Sequence, residues 1–414
     1  MLDTISNALN AFYQNSGFAQ LFIDDNYKFL IMIVIALFLM WLAIAKKFEP
    51  LFLLPISFGI LLANLPNCGI MNEPVKEFVN AITSITVDQN GMIVNASGEQ
   101  AFTGNILSNG GFLYYLSQGS IMSIFLPLMF LCIGALTDFS SLIANPKYLI
   151  LGAGAQFGIF IAFVGALLFG FDLKEAASIA TIGSANGSAA IYASTILNPA
   201  LLSRIAITAY LYIALIPIIQ PPIMRALTTK KERAIQMNPI REVSQREKIL
   251  FPIITALIII LLLPDTAPLI GMLMLGNLFR ESGITQKLAA NSSEAIMYIL
   301  SILIGIAIGA TTRADQFLEL RTLIILGLGL IAFIFSTAFG IIFGNIMCKL
   351  TGYKVNPLIG AAGICAVPVS AKVVQQVCQE ENPSNSLLAH AIGSNVAGII
   401  GSIVATGIFL SFYK

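Results

Sequence analysis

The chain has 414 residues, of which 57% are hydrophobic and only 10% are charged. Soluble domains carry roughly 25% charged residues, so this composition indicates an integral membrane protein. A formal net charge of +1 argues against a nucleic-acid partner, a single histidine excludes a histidine metal cluster, and five cysteines without Cys-x-x-Cys spacing predict no zinc or redox site.

Eight apolar segments approach the ~20 residues that a helix needs to cross a membrane. They are 29–45, 119–136, 148–171, 201–220, 249–263, 295–310, 323–347 and 387–412. Four shorter apolar pieces, 48–65, 178–197, 267–278 and 356–374, contain glycine, proline or small polar residues. We expect these to be half-spans or re-entrant segments of an all-α, multi-span helical bundle.

Basic residues set the expected orientation. Lys46 and Lys47 follow the first span, and loop 225–248 carries seven basic against three acidic residues. The positive-inside rule places both clusters in the cytoplasm. We therefore divide the chain into an outer N-terminal segment (1–28), a first membrane half (29–220) with an outer loop (71–107), a basic cytoplasmic loop (221–248) and a second membrane half (249–414). A docking surface for a partner is the alternative interpretation of the basic loop.

The two halves resemble each other. "PISFGILLANLPNCGI" (55–70) and "PLIGMLMLGNLFRESGI" (268–284) both contain proline, glycine, an apolar run and Asn-Leu. Each is followed by an interrupted segment, which we name the first break (183–189, "GSANGSA") and the second break (356–368, "NPLIGAAGICAVP"). Breaks in corresponding places of two inverted repeats indicate a transporter site at mid-membrane. Chance similarity between apolar segments is the alternative.

Glycine and proline in the breaks free backbone carbonyls from the helical ladder. Hard cations prefer oxygen ligands, a rule that we extend to sodium. Asn186, Ser188, Asn356, Tyr212 and the freed carbonyls could supply a neutral oxygen cage. Close packing of helices through small residues explains the same composition. Lys372 follows the second break, where an ionisable residue is a functional candidate or a lysine that reaches the membrane surface.

Several long motifs resemble the β-subunit of the sodium-translocating decarboxylases of oxaloacetate, methylmalonyl-CoA and glutaconyl-CoA. They include "FEPLFLLPISFGILLANLP" (48–66), "GALTDFSSLIANPK" (134–147), "APLIGMLMLGNLFRESG" (267–283) and "NPSNSLLAHAIGSNVAGIIGS" (382–402). The resemblance implies a bacterial inner-membrane protein that decarboxylates carboxybiotin and exports sodium. It also implies partners, namely an α-subunit carboxyltransferase, a carrier that holds the biotin cofactor, a small γ/δ membrane subunit, membrane lipid and further copies of the chain.

This sequence departs from the family pattern at the implied sodium site. The family's first break reads Gly-Ala-Asp-Gly-Pro-Thr-Ala-Ile-Tyr, whereas Asn186 stands here in place of the aspartate. In the second break Asn356 and Gly360 match, but Cys365 replaces serine and Lys372 replaces arginine. The functional tyrosine of the family corresponds to Tyr212.

An amide at position 186 can coordinate a cation but brings no charge, and a unit charge pair at 4 Å is worth ~4 kcal/mol at an effective dielectric near 20. The nearest acidic residues in the sequence, Asp172 and Glu175, belong to the preceding loop, so we expect no replacement carboxylate. Lys372 can lose its proton when buried, which makes it a hypothetical proton donor for decarboxylation.

Three functions stay open at this point. The chain could be a working decarboxylase β-subunit with altered ion coupling, with Tyr212 and Lys372 in catalysis and Asn186, Ser188, Asn356, Gly360 and Cys365 binding sodium. It could be a non-transporting paralogue that anchors other subunits. It could transport another solute.

Overall fold

The computed structural model describes Tyr13, Ser16, Gly17, Leu21 and residues 27–87, 93–366 and 368–414, with 76–87, 93–107 and 315–316 described by their backbone alone. Most of the expected outer segment 1–28 therefore lies outside the described residues. The α-helices are α1 Tyr27–Ala45, α2 Pro50–Ala63, α3 Phe112–Ile121, α4 Phe125–Leu136, α5 Ser140–Ala144, α6 Tyr148–Ala155, α7 Phe157–Leu168, α8 Leu173–Ala180, α9 Gly187–Leu197, α10 Leu202–Leu227, α11 Lys230–Arg233, α12 Gln245–Leu262, α13 Met272–Glu281, α14 Gln286–Asn291, α15 Met297–Ala310, α16 Ala314–Phe317, α17 Leu320–Leu350, α18 Val369–Glu381 and α19 Leu388–Tyr413.

The prediction of a multi-span helical membrane protein is confirmed. Six helical segments among the described residues are long and apolar enough to cross a membrane. They are Tyr27–Ala45, Tyr148–Leu168, Pro199–Leu227, Gln286–Ala310, Leu320–Leu350 and Leu388–Tyr413. Helix α10 runs on to Leu227, so the connection to α12 is shorter than loop 221–248 and includes the short helix α11.

The expected continuous span 119–136 is wrong. Helices α3 and α4 meet there at an angle of 65°. Ser123, between them, has a left-handed φ of 57°. A Cβ at Gly119 would lie 2.3 Å from the Phe125 ring, so the glycine lets the ring fold back onto α3. A chain that bends this sharply cannot continue the helical ladder, so the segment is not one straight spanning helix.

The loop 71–107, which we expected on the outer side, contains a structure that its polar composition did not predict. Strands β1 (Val75–Val87) and β2 (Ile93–Ser108) pair antiparallel, with Val75 opposite Ser108 and Val87 opposite Ile93. The all-helical prediction therefore holds for the candidate membrane spans, whereas this loop forms a two-stranded hairpin.

The internal repeat has a structural counterpart in two helix pairs, each of which joins a helix of one half to a helix of the other. Helix α2 packs on α15, and α13 packs on α4, so each repeat pairs with a helix from the other half of the chain. The Asn64 side chain donates to the Thr312 carbonyl at 2.8 Å, and the Asn277 side chain donates to the Thr137 carbonyl at 3.0 Å. The two Asn-Leu motifs thus perform the same task at equivalent places, which supports a true repeat.

Glycines allow these pairs to approach closely. A Cβ at Gly309 would lie 2.1 Å from the Ile56 carbonyl oxygen, and one at Gly276 would lie 1.9 Å from that of Leu131. Small residues at membrane helix contacts act in this way because they let backbones touch. The two pairs are therefore tightly packed links between the two halves of the chain.

Candidate functional site

The first break begins where α8 ends. Asp172 caps α8 in a reciprocal capping box with Glu175, which also pairs with Arg321 at 2.9 Å. Both acidic residues therefore stabilise the N-terminus of α8, at the opposite end of this helix from the first break. A 3-10 turn, Thr181–Ser184, then leads into Ala185, whose φ of 52° is left-handed. This turn separates α8 from α9 and places Asn186 between them.

Asn186 occupies the N-cap of α9. Its Oδ1 accepts a hydrogen bond from the Ala189 amide at 3.2 Å, and its Nδ2 donates to the Ser402 hydroxyl of α19 at 2.8 Å. Asparagine is a favoured N-cap because its side-chain oxygen meets an orphan amide of the first turn. The residue is 8% exposed. Asn186 thus ties the first break to α19 while remaining accessible from one side.

The carbonyls of the second break have donors already. Gln220 donates to the Ala361 carbonyl at 3.0 Å, and the Asn395 amide donates to the Ala362 and Ile364 carbonyls. Buried carbonyls need such partners, because an unmet polar group inside the bundle is costly. The freed carbonyls that we expected to bind a cation are largely held by side-chain amides instead.

Sequence reasoning gave no role to Gln156 and Asn395, which brace the second break. The Gln156 amide points at the Gly363 and Gly398 carbonyls, at 3.5 and 3.4 Å. Within the described residues, Gln156 Oε1 and Asn395 Oδ1 are buried without a hydrogen-bond partner. The sequence did contain a signal for these residues, because burying a polar amide in an apolar span costs free energy and such residues often mark a functional site. Two unmatched amide oxygens beside the break are atoms of the type that binds a hard cation.

The two breaks meet. The Cys365 amide donates to the Ser184 carbonyl at 3.1 Å, and the Cys365 thiol donates to the Gly398 carbonyl at 2.8 Å. A cavity of about 120 Å³ opens at this contact, and we name it the junction cavity. Its polar lining consists of Glu49, Thr137, Asn186, Ser188, Tyr210 and Cys365, and the rest is largely apolar side chains from α2, α4, α10, α15 and α19.

The structure brings Asn186, Ser188 and Cys365 together at this cavity but leaves Tyr212 outside it. The Tyr212 hydroxyl donates to the Leu326 carbonyl of α17, and a Cβ at Gly329 would lie 2.8 Å from its ring. Tyr210 faces the cavity instead. Its ring stacks on Phe52 with 4.7 Å between centroids, and it lines the cavity together with Ser188. Tyr210 was missed because the sequence does not reveal how α10 is rotated.

Asn356 and Gly360 lie away from the junction cavity, at the start of the second break. The Asn356 side chain donates to the Arg233 and Ile235 carbonyls at 2.9 Å and accepts from the Leu358 amide. A Cβ at Gly360 would lie 2.0 Å from the Gly340 carbonyl oxygen. In this conformation the two residues fasten the second break to the basic loop and to α17.

Lys372 is exposed on the first turn of α18, just beyond the second break. Its side chain forms no ion pair or hydrogen bond with any residue that the structure describes, and it does not line the junction cavity. Lys372 therefore lacks the burial on which its expected role as a proton donor was based, and its exposure suits a lysine that reaches a polar surface.

Glu49 overturns the expectation that no carboxylate stands near position 186. It lies immediately before α2, far from Asn186 in the sequence, yet both residues line the junction cavity. The sequence offered no local signal for this meeting, because it depends on how α2 packs against α10 and α15.

Crossed helix pairs around two facing breaks define a class of protein, the multi-pass transporters with a polar site at the repeat interface. The family model of the Na+-transporting oxaloacetate decarboxylase beta subunit matches residues 28–413. The methylmalonyl-CoA decarboxylase subunit beta of Propionigenium modestum is 49% identical over 98% of this chain and 99% of its own length. The glutaconyl-CoA decarboxylase subunit beta of Acidaminococcus fermentans is 43% identical over 99% of both chains. The oxaloacetate decarboxylase beta chain of Klebsiella pneumoniae is 44% identical over 98% of this chain and 99% of its own length.

The chain belongs to the family of β-subunits of Na+-transporting decarboxylases. The resemblance noted from the motifs is confirmed over nearly the whole chain. The protein is thus a multi-pass membrane subunit of a sodium-transporting decarboxylase system.

Proposed function

We propose that this β-subunit decarboxylates carboxybiotin presented by a carrier on a partner subunit and couples that reaction to sodium export. The N–carboxylate bond of carboxybiotin breaks, its electron pair returns to the ureido nitrogen, that nitrogen takes up a proton, and CO₂ leaves. The proposal rests above all on the contact between the two breaks, where the Cys365 amide bonds to the Ser184 carbonyl beside a cavity with six polar lining residues.

Sodium is the cargo in this proposal, and the junction cavity is its binding site. Asn186 and Ser188 line the cavity and offer neutral oxygen atoms. Gln156 and Asn395, which contact Cys365 and Ile364 of the second break, each hold an unmatched amide oxygen. Neutral oxygens can replace a hydration shell, but an added negative charge tightens binding strongly. A carboxylate at position 186 should therefore strengthen sodium binding relative to the native asparagine.

Sodium uptake into proteoliposomes that hold the whole complex tests the function. The native chain and Asn186→Asp are compared, with turnover of the carboxylated substrate measured in the same vesicles. Uptake by the native chain supports a working pump. Turnover without uptake in either chain would instead favour a subunit that anchors its partners. Sodium uptake that needs no biotin carrier would favour a transporter of a different kind.

Lys372 is proposed as the proton donor for the ureido nitrogen, because it stands exposed beside the second break. Lys372→Ala should slow carboxybiotin turnover by about 10²-fold, the usual scale for a lost general acid. Lys287, on the exposed face of α14, gives a matched control in Lys287→Ala. Unchanged turnover in Lys372→Ala would remove the residue from the mechanism.

A further inference from the structure

Glu49 is the charged residue among the described side chains that line the junction cavity. Its neighbours there are the amide of Asn186, the hydroxyls of Thr137, Ser188 and Tyr210, and the thiol of Cys365. This set combines one carboxylate with several neutral oxygens, a donor set typical of hard cations.

The backbone at Glu49 is strained in a way that helix formation alone does not require. Its φ of 39° and ψ of 55° are left-handed, a conformation that non-glycine residues rarely adopt. Although Glu49 precedes α2 at the N-cap, its side chain makes no capping hydrogen bond. Strain of this kind persists where the surroundings impose it, and it clusters at ligand sites.

The Glu49 carboxylate has no countercharge among the described residues. Lys46 lies over the Trp41 ring at 5.4 Å rather than beside the carboxylate. Burying a carboxylate without a partner of opposite charge is unfavourable. A half-buried carboxylate at a polar cavity, with no partner of opposite charge, leaves room for a bound cation.

Tyr210 connects Glu49 to the first break. Its ring stacks on Phe52 of α2 with 4.7 Å between centroids, and Tyr210 lines the junction cavity together with Ser188 and Glu49. A Cβ at Gly187 would lie 2.7 Å from the Tyr210 ring, so the first break and α10 are in direct contact. A cation in this cavity would face a lining that Glu49 and the start of α9 share.

We propose that Glu49 supplies the negative charge of the sodium site that Asn186 and Ser188 complete. This inference rests on the proposed sodium transport and names a residue of that same site. It explains how a chain with an amide at position 186 can retain a charged cation site.

The test is the sodium dependence of thermal unfolding of the purified complex, with choline keeping the ionic strength constant. Glu49→Gln keeps the shape and removes the charge, and it should raise the half-saturating sodium concentration at least about tenfold. Glu242→Gln removes an exposed charge from the basic loop and should leave that concentration unchanged. The double variant Glu49→Gln/Asn186→Asp returns a carboxylate to the same cavity and should come back to within about threefold of the native chain.

If Glu49→Gln had the same half-saturating sodium concentration as the native chain, the inference would be overturned, while the proposed sodium transport would stand. If the double variant bound sodium as weakly as Glu49→Gln, the inference would also be overturned. The defect would then come from a changed structure at the start of α2 and not from the lost charge of Glu49. A native complex that shows no response to sodium would refute the proposed function itself, and the role of Glu49 with it.

Discussion

The two breaks occupy equivalent places in the two halves, but their polar groups are used differently. The first break presents side chains, Asn186 and Ser188, to a cavity. The second break is enclosed up to Gly363, with carbonyls held by Gln220 and Asn395 and its backbone pressed against α17 at Gly360, and it reaches the cavity only at its end, at Cys365 and Ala366. The comparison indicates that one break supplies ion ligands and the other supplies a rigid wall. Substitutions in the second break should therefore cost stability, whereas those in the first should cost ion binding.

The largest expected effect on stability is at Gly360. Its missing Cβ would lie 2.0 Å from the Gly340 carbonyl oxygen, a backbone atom that cannot rotate away. Gly360→Ala should lower the free energy of unfolding by about 3 kcal/mol, through overpacking. The measurement is thermal unfolding of the purified complex in detergent.

Gly327→Ala is the matched control, because Gly327 lies in the same α17 with open space around its Cβ position. It should change stability by no more than about 1 kcal/mol, in the stabilising direction. If Gly360→Ala and Gly327→Ala changed the stability equally, the second break would not be tightly packed against α17.

A smaller loss is expected at Asn395. Its amide is fully buried and donates to two carbonyls of the second break. Asn395→Ala should destabilise the protein by about 2 kcal/mol, because both carbonyls lose their donor. Asn291→Ala, at an exposed residue of α14, provides the comparison and should have little effect. If Asn395→Ala left the stability unchanged, water or a rearranged side chain would have to donate to these carbonyls.

The smallest effect on stability is expected at Asn186. Asn186→Ala removes an N-cap and one bond to Ser402, which should cost about 1 kcal/mol of folding free energy. The same variant should raise the half-saturating sodium concentration of the complex, because Asn186 lines the junction cavity. A large loss of stability with unchanged sodium response would reverse the contrast between the breaks.

Much of the fold could be predicted because its signals are local. Apolar runs of span length, and Gly- and Pro-rich interruptions such as 356–368, report on their own segments. The Asn-Leu repeat predicted an internal symmetry, and the bonds made by Asn64 and Asn277 support it. The bend at Ser123 was missed because it depends on Phe125 packing against Gly119, a contact that hydropathy does not report.

The site was harder to predict because it is built from distant residues. Tyr210 and Tyr212 lie two residues apart on a helix, so they point about 200° from each other. Which tyrosine faces the cavity is decided by packing against Gly187 and Gly329, and no sequence rule sets that rotation. Glu49 reaches the first break only through tertiary contacts of α2.

The most direct test of a sodium site at the junction uses the cysteines of the native chain. Cys365 lines the junction cavity, whereas Cys68 is exposed far from it in the sequence. Alkylation of each is followed by mass spectrometry of the intact complex, with sodium or with potassium. The account predicts that sodium slows the modification of Cys365 and leaves Cys68 unchanged, and that potassium does neither. Equal rates at Cys365 in the two salts would contradict a sodium site where the two breaks meet.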